Sequence, residues 1–335
     1  MLFQKALISS KNKVVPSGSL WAWGHGYYGQ LGDLTTTDKS SPVLVSGPTG
    51  SSWISIKSSI SDSTNQDNIH ILALKSDKTL WVWGTNLYGQ LGLGYSDGSY
   101  SSPVITNAST SWTKIASGSI HGLGIKSNGT LWSWGDSVYG QLGNNQTDTR
   151  YSPVLVSGPA STSWSQIAAG EYHSLAITTA GRLYAWGVND TGQLGDLTTT
   201  NKSSPVLVSG PASTSWSQIA AGTNHSLAIT TTGQLYAWGY NNAGQLGDST
   251  ITDKSSPVLV SGPASTSWSF ASTGLRHSAA ITTTGQLYAW GQGTFGSLGN
   301  LATANRSSPV VVSGPAATSW TSVSSNLYAN IGIVA

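Results

Sequence analysis

The chain has 335 residues, with 40 glycines, 15 tryptophans, no cysteine, 15 Lys and Arg against 13 Asp and Glu, and a formal net charge of +2. Charged residues make up 8% against roughly 25% in an average soluble protein, which excludes a polyelectrolyte tail, and the cations are too scattered for a nucleic-acid groove. Disulfides, thiolate metal sites and cysteine nucleophiles are excluded as well, and no apolar run approaches the roughly 18 residues of a membrane span or supplies a signal-peptide core, so no membrane insertion is expected.

In chain order, residues 1–16, with Lys5, Lys11 and Lys13, read as an N-terminal extension, and residues 17–335 as a repeat domain. Residues 17–24 (SGSLWAWG) start as a strand bounded by glycines. The Trp-Gly pair that ends it recurs at Trp23, Trp83, Trp134, Trp186, Trp238 and Trp290. Two further series keep the same step: Pro42, Pro103, Pro153, Pro205, Pro257 and Pro309 in Ser-Pro-Val, and Trp53, Trp112, Trp164, Trp216, Trp268 and Trp320 in Ser-Trp. A step near 50 residues is the signature of a propeller or a solenoid. Residues 60–69 are an insertion, expected to protrude, that lengthens the step from Trp53 to His70.

One full unit, residues 216–260, reads as four short strands and no helix, because Gly, Pro or Ser-Thr clusters interrupt it every ten residues or so. The strands are 218–221, 226–230, 234–238 and 257–260. In the third, Leu235 and Ala237 share one face and Tyr236 and Trp238 the other, so both faces are apolar, as a blade between two blades requires. Pro257 suits an outermost strand, where a missing N–H disturbs no inner ladder. At the far end, residues 320–334 supply the first two strands of a unit, with Ile331 and Ile333 in the places of Leu227 and Ile229. These strands complement the third strand at 17–24. The expected fold is therefore all-β, a single β-propeller of four-stranded blades, closed by pairing the N- and C-terminal strands in one composite blade; six blades are counted.

The repeated side chains read as structural. His70, His121, His173, His225 and His277 share one position at the start of a strand, where an imidazole can tie down loop backbone; zinc wants three or four converging ligands, so no metal is expected. The sixth copy has Ala329 there. Trp23, Trp83, Trp134, Trp186, Trp238 and Trp290 follow strand periodicity and read as inter-blade core rather than a sugar-stacking surface. The glycines of Gly-Gln-Leu-Gly are followed by no Lys and no helix, so they are turn glycines and not a phosphate cradle. Glu171 is the only glutamate, no acid recurs beside a histidine and no Gly-x-Ser-x-Gly elbow occurs, so no catalytic residue, cofactor or enzyme activity is expected.

Two loops vary between copies: the residue pair before each histidine and the segment after each Trp-Gly. In an up-and-down four-stranded blade both leave on the same side. The expected partner-binding face carries Tyr27, Tyr28, Leu87, Tyr88, Tyr139, Glu171, Tyr172, Tyr240, Leu275, Arg276 and Phe295, since loops on a rigid scaffold and Tyr and Arg anchors are common in recognition.

The pattern Ala-Ala-Gly-x-x-His-Ser-Leu-Ala-Ile-Thr, then Gly-x-Leu-Tyr-Ala-Trp-Gly, Gly-Gln-Leu-Gly and a Pro-Val segment, resembles the repeat of the regulator of chromosome condensation family over residues 17–335. The resemblance implies a β-propeller of four-stranded blades, commonly seven, which makes seven the alternative to the six counted here. Some members of that family catalyse nucleotide exchange on a small GTPase and bind chromatin, and a bacterial relative inhibits β-lactamases. The wedge and acidic surface that exchange requires have no match in these residues. The leading expectation is a non-enzymatic interaction or structural protein, a phage virion or tail component or a microbial surface adhesin. It is placed on a virion or extracellular surface, binding a protein or glycan and assembling into a larger particle. The alternatives are an intracellular regulator resembling the exchange and chromatin-binding members, and a lectin-like glycan-binding propeller.

Overall fold

The computed structural model describes residues 18–47, 52–59, 68–106, 111–160, 162–211, 214–263, 266–314, 319–325 and 328–334. The expected N-terminal extension 1–16 and most of the insertion 60–69 lie outside them. The described residues form five four-stranded sheets and two two-stranded sheets. Blade 1 spans residues 53–105, blade 2 spans 112–155, blade 3 spans 164–207, blade 4 spans 216–259 and blade 5 spans 268–311; an N-terminal strand pair occupies 21–44 and a C-terminal pair 320–334. Among the described residues no helix is long and apolar enough to cross a membrane.

The chain divides into two compact units, one of residues 1–138 and 148–155 and the other of residues 139–147 and 156–335. The first holds the N-terminal pair and blades 1 and 2; the second holds blades 3 to 5 and the C-terminal pair.

Blade 4 shows why the repeat folds as it does. Its strands are Trp216–Ala221, His225–Thr230, Leu235–Gly239 and Lys254–Leu259, each pairing antiparallel with the next. The second and third strands pair without interruption from His225↔Gly239 to Ile229↔Leu235. The outer ladder slips between Ala237↔Val258 and Gly239↔Lys254, and Pro257 sits in that irregular stretch, where its lack of an N–H breaks no regular rung. Alternation then decides the packing. Leu235 and Ala237 join Leu246, Val260, Trp268 and Trp290 in one cluster, while Tyr236 and Trp238 join Leu183, Ala185, Leu194 and Trp216 in another. Each face of blade 4 is thus buried against a different neighbour.

The expected count of six blades with one composite blade is not what the ladders show. Seven sheets are present, and the terminal strands that were to share a blade form two separate pairs, registered Trp21↔Leu44 and Trp320↔Val334. Each pair joins strands adjacent in the chain, the local hairpin-type contact with the smallest loop-closure cost.

Candidate functional site

Four of the repeated histidines, His70, His173, His225 and His277, are buried tethers to the next sheet of the same unit. In the second unit the His173 Nε2 lies 3.0 Å from Ser226 Oγ, His225 Nε2 lies 3.0 Å from Ser278 Oγ and His277 Nε2 lies 3.2 Å from Asn330 Oδ1. In the first unit His70 Nε2 lies 2.9 Å from Ser117 Oγ. Ser226 and Ser278 spend their own protons on the carbonyls of Gln193 and Gln245. Each therefore accepts from an Nε2–H, which fixes a neutral imidazole with that tautomer. Burial pushes His173 down to about 3 and His70 down to about 4; His225 falls to about 3 by burial with His277 and His173 adding repulsion, and His277 falls to about 4 by burial, against the Asn330 hydrogen bond.

The Gly-Gln-Leu-Gly motif is the other half of this tether. The Gln193 carbonyl accepts from both Ser226 Oγ and Trp238 Nε1, at 2.9 Å each, so one loop carbonyl holds two side chains of the next blade. Trp290 reaches Gln245, Trp186 reaches Gln141, Trp134 reaches Gln90 and Trp83 reaches Gln30 in the same way. Gly195, at φ +68°, leaves no space for a side chain, since a Cβ there would stand 2.8 Å from Trp238 Nε1. Of the tryptophans expected in the core, Trp83, Trp134, Trp186, Trp238 and Trp290 are fully buried, and Trp23, in the unfinished N-terminal pair, is half-buried.

Beyond these tethers the two variable loops decorate one side of each blade, as its up-and-down strand order dictates. Tyr27, Leu87, Tyr88, Tyr139, Arg276 and Phe295 are exposed, Phe295 at 77%, and Tyr28, Tyr172 and Tyr240 are half-buried. Glu171 and Leu275, expected on this face, are only 5% and 7% exposed. Of the two residues before each histidine the first turns inward, as Ser119 and Thr223 do at the same position, so these two are not surface groups. Several members of the set pack against a residue of the adjacent repeat. Tyr139 and Tyr172 pack edge to face at 5.4 Å, Phe295 and Tyr328 likewise at 5.4 Å, and the Arg276 guanidinium lies 5.9 Å from the Tyr240 ring centroid. In the first unit His25, Tyr27 and Tyr28 form a small cluster, with Tyr27 and Tyr28 4.9 Å apart.

The third-to-fourth-strand loops are cross-braced by their own side chains. In blade 3, Asn189 Nδ2 donates to Asp196 Oδ1 and to the carbonyls of Thr198 and Thr200. Burial raises the Asp196 pKa, and the Thr198 hydroxyl and amide, Asn189 and Lys202 outweigh it, so the carboxyl stays below its ordinary value. Leu197 follows at φ +68°, a conformation that costs a branched residue about 1–2 kcal/mol, and there its N–H reaches the Ser255 carbonyl of blade 4 at 2.8 Å. The sequence signal at that position is diluted: Gly94 and Asn145 suit the conformation in blades 1 and 2, whereas Leu34, Ser249 and Leu301 hold it at positive φ where Gly or Asn would be cheaper. Asn330, which replaces the serine of the histidine tether, was likewise not anticipated. Among the described residues no three His, Cys, Asp or Glu side chains converge in a way that could hold a metal.

A family profile described as the RCC1-like domain matches residues 16–329. The ultraviolet-B receptor UVR8 of Arabidopsis thaliana is 32% identical over 295 residues, covering 88% of this chain and 65% of the receptor. The human E3 ubiquitin-protein ligase HERC2 is 34% identical over 220 residues, 65% of this chain but only 4% of that protein. The chain thus spans less than two thirds of either relative. Among solved structures, Prp20p of Saccharomyces cerevisiae superposes with a TM-score of 0.80 at 21% identity, covering 95% of this chain and 78% of that one, which shows a propeller-like fold of repeated blades. That structure is described with binding to Gsp1p and histones, and with these relatives the expected virion or extracellular-surface location is overturned. The profile covers the N-terminal pair, all five blades and the first strand of the C-terminal pair, and the protein belongs to the RCC1-like domain family.

Proposed function

We propose that this chain is a non-enzymatic protein-interaction module of the regulator type, which recognises a protein partner through the side of its blades that carries the variable loops. The observation that carries this reading is the set of ring pairs from adjacent repeats, Tyr139 with Tyr172, Tyr240 with Arg276 and Phe295 with Tyr328. Aromatic and Arg side chains preorganised on a rigid scaffold are the usual makings of an interface anchor. Relatives with receptor, ligase and histone-binding descriptions support protein binding. The ligase description belongs to a protein of which this chain matches 4%. Nothing among the relatives supports the phage-tail, adhesin, particle-assembly or glycan-binding readings.

The test replaces Tyr172, Tyr240, Arg276 and Phe295 together by Ser and, separately, Thr231, Thr232, Thr283 and Thr284 by Ala in the turns on the other side of the same blades. Quantitative co-purification from the native host should lose the partner more than tenfold with the first set and retain it with the second. Equal recovery would contradict the reading. A nucleotide-release assay on the host's small GTPases separates exchange activity from plain binding.

A further inference from the structure

Blade 5 departs from its siblings in charge. In the N-terminal pair and in blades 3 and 4 a lysine opposite the Gly of Trp-Gly neutralises an Asp of the loop before it: Lys39 with Asp33 at 3.3 Å, Lys202 with Asp196 at 3.5 Å and Lys254 with Asp248 at 3.6 Å. Blade 5 keeps the cation as Arg306, opposite Gly291, but the Asp position is Asn300, whose Oδ1 accepts from the Ala302 N–H at 3.2 Å. No Asp or Glu follows Asp253 in the sequence. Among the described residues Arg276 and Arg306, both exposed, form no ion pair.

The turn after Gly291 differs as well. Elsewhere a loop glutamine braces it: the side-chain oxygens of Gln30, Gln90, Gln141, Gln193 and Gln245 accept from the N–H two residues earlier. Blade 5 has Ser297 there, whose hydroxyl donates to the Gln292 carbonyl instead. Phe295 sits at φ +60°, in the left-handed region that bulky residues seldom enter, where Tyr28, Tyr88, Tyr139, Thr191 and Ala243 at the same place do not. Its ring is turned out to solvent, touching only Tyr328 among aromatic neighbours, and Leu301 in the same loop is 94% exposed. The root of this turn is held between the two arginines. The Gln292 N–H donates to the Arg276 carbonyl at 2.8 Å, and the Gly293 N–H donates at 3.1 Å to the side chain of Asn305, the residue before Arg306. An exposed ring and an exposed leucine beside two uncompensated guanidinium groups complement a segment that pairs a carboxylate with an apolar side chain. Two cations are too few to track a nucleic-acid backbone.

We propose that the loop side of blade 5 receives a short acidic and apolar segment of the protein partner, with an Asp or Glu carboxylate on Arg306 and Arg276 and an apolar side chain against Phe295. This rests on the loop-side reading above and adds the partner's chemistry to it. The charge complementarity is specific to this blade, because in the N-terminal pair and in blades 3 and 4 the same cation is neutralised from within the chain.

The test is selection of a displayed random heptapeptide library on the immobilised full chain, followed by titration of the enriched peptides. Enriched sequences are expected to place Asp or Glu beside Leu, Phe, Tyr or Trp. Asn300→Asp restores the carboxylate that the sibling loops carry, so it should fold and should weaken those peptides about tenfold by neutralising Arg306 from within. Arg182→Gln, which removes an exposed cation from the turn on the other side of blade 3, should leave binding unchanged. No enrichment, enrichment of sequences without an acid, or parent-like binding by Asn300→Asp overturns the proposal. Competition by a single-stranded DNA oligonucleotide as strong as that of an acidic peptide would assign the arginines to phosphate and overturn it too. The selection needs no captured partner, so its failure is separable from that of the loop-side reading, which the co-purification variants test.

Discussion

Blade 4 and the C-terminal pair begin with the same two strands, and only one of them is finished. The register Gln218↔Ile229 in blade 4 is matched by Ser322↔Ile333 in the pair. Ile229 is 2% exposed, whereas Ile333 is 63% exposed. The N-terminal pair shows the converse, with Trp23 half-buried where Trp238 is sealed. The same residues in the same register are core in one place and surface in another, so burial here belongs to the stack and not to the strand. A blade with two apolar faces gains its stability, about 25 cal/mol per Å² of apolar surface removed from water, only when a neighbour covers each face.

The comparison is sharpest in acid, because the buried histidines sit in the complete blades and the C-terminal pair has Ala329 in their place. Folded, His173 and His225 titrate at about 3 and His70 and His277 at about 4, against 6.5 unfolded. Between those values the native state binds fewer protons than the unfolded state, so stability falls as pH drops below about 6.5, by about 1.4 kcal/mol per pH unit for each histidine. Urea midpoints from pH 7.5 down to pH 4.5 should decline steeply, and His225→Gln should flatten the slope by about one histidine's share. A flat profile would mean that the imidazoles are not neutral tethers.

Next in size is the indole contrast. Trp238→Ala should cost about 3–5 kcal/mol, losing both the packing and the bond to Gln193, while Trp23→Ala should cost clearly less because part of its ring already faces water. Equal losses in denaturant unfolding would erase the distinction between finished and unfinished sheets.

A glycine pair gives a third contrast. A Cβ on Gly222 would stand 2.5 Å from His225 Cε1 and 2.8 Å from the Gly274 carbonyl, whereas one on Gly98 meets nothing within 4 Å. Gly222→Ala should therefore destabilise by about 1–3 kcal/mol by overpacking, and Gly98→Ala should leave the melting temperature near that of the parent.

The smallest expected effect compares blades with one another. Blades 1 and 2 end their second strands in Lys75 and Lys126, beside Trp81 and Trp132, where blades 3 to 5 pair Thr178, Thr230 and Thr282 with Tyr184, Tyr236 and Tyr288. The Lys126 ammonium lies 4.3 Å from the Trp132 ring centroid and 5.0 Å from that of Trp112. A double-mutant cycle of Lys126→Thr and Trp132→Tyr should show a coupling of about 0.5–2 kcal/mol, and additive effects would show the pair to be independent.

Much of the blade was legible because Trp-Gly, Ser-Pro-Val and Ser-Trp repeat at one step and the third strand alternates two apolar faces. What the repeat could not show was pairing at the chain's ends, since matching Ile331 and Ile333 to Leu227 and Ile229 identifies the kind of strand and not its partner. On the loop side, spacing selected Tyr172 and Arg276, which reach solvent, together with Glu171 and Leu275, which do not, because variability does not reveal which of two adjacent residues turns inward. The near-uncharged surface suggested a particle or envelope, but composition carries no address, and the relatives point elsewhere.

The claim that most needs testing is that a protein partner docks on the variable-loop side. A photo-crosslinking amino acid placed at Tyr172 or Phe295, and separately at Thr231 or Thr283 on the opposite turns, tests it directly in the native host. A discrete crosslinked protein is expected from the first two positions and none from the last two. Crosslinks of the same protein from both sides, or from the turns alone, would contradict it.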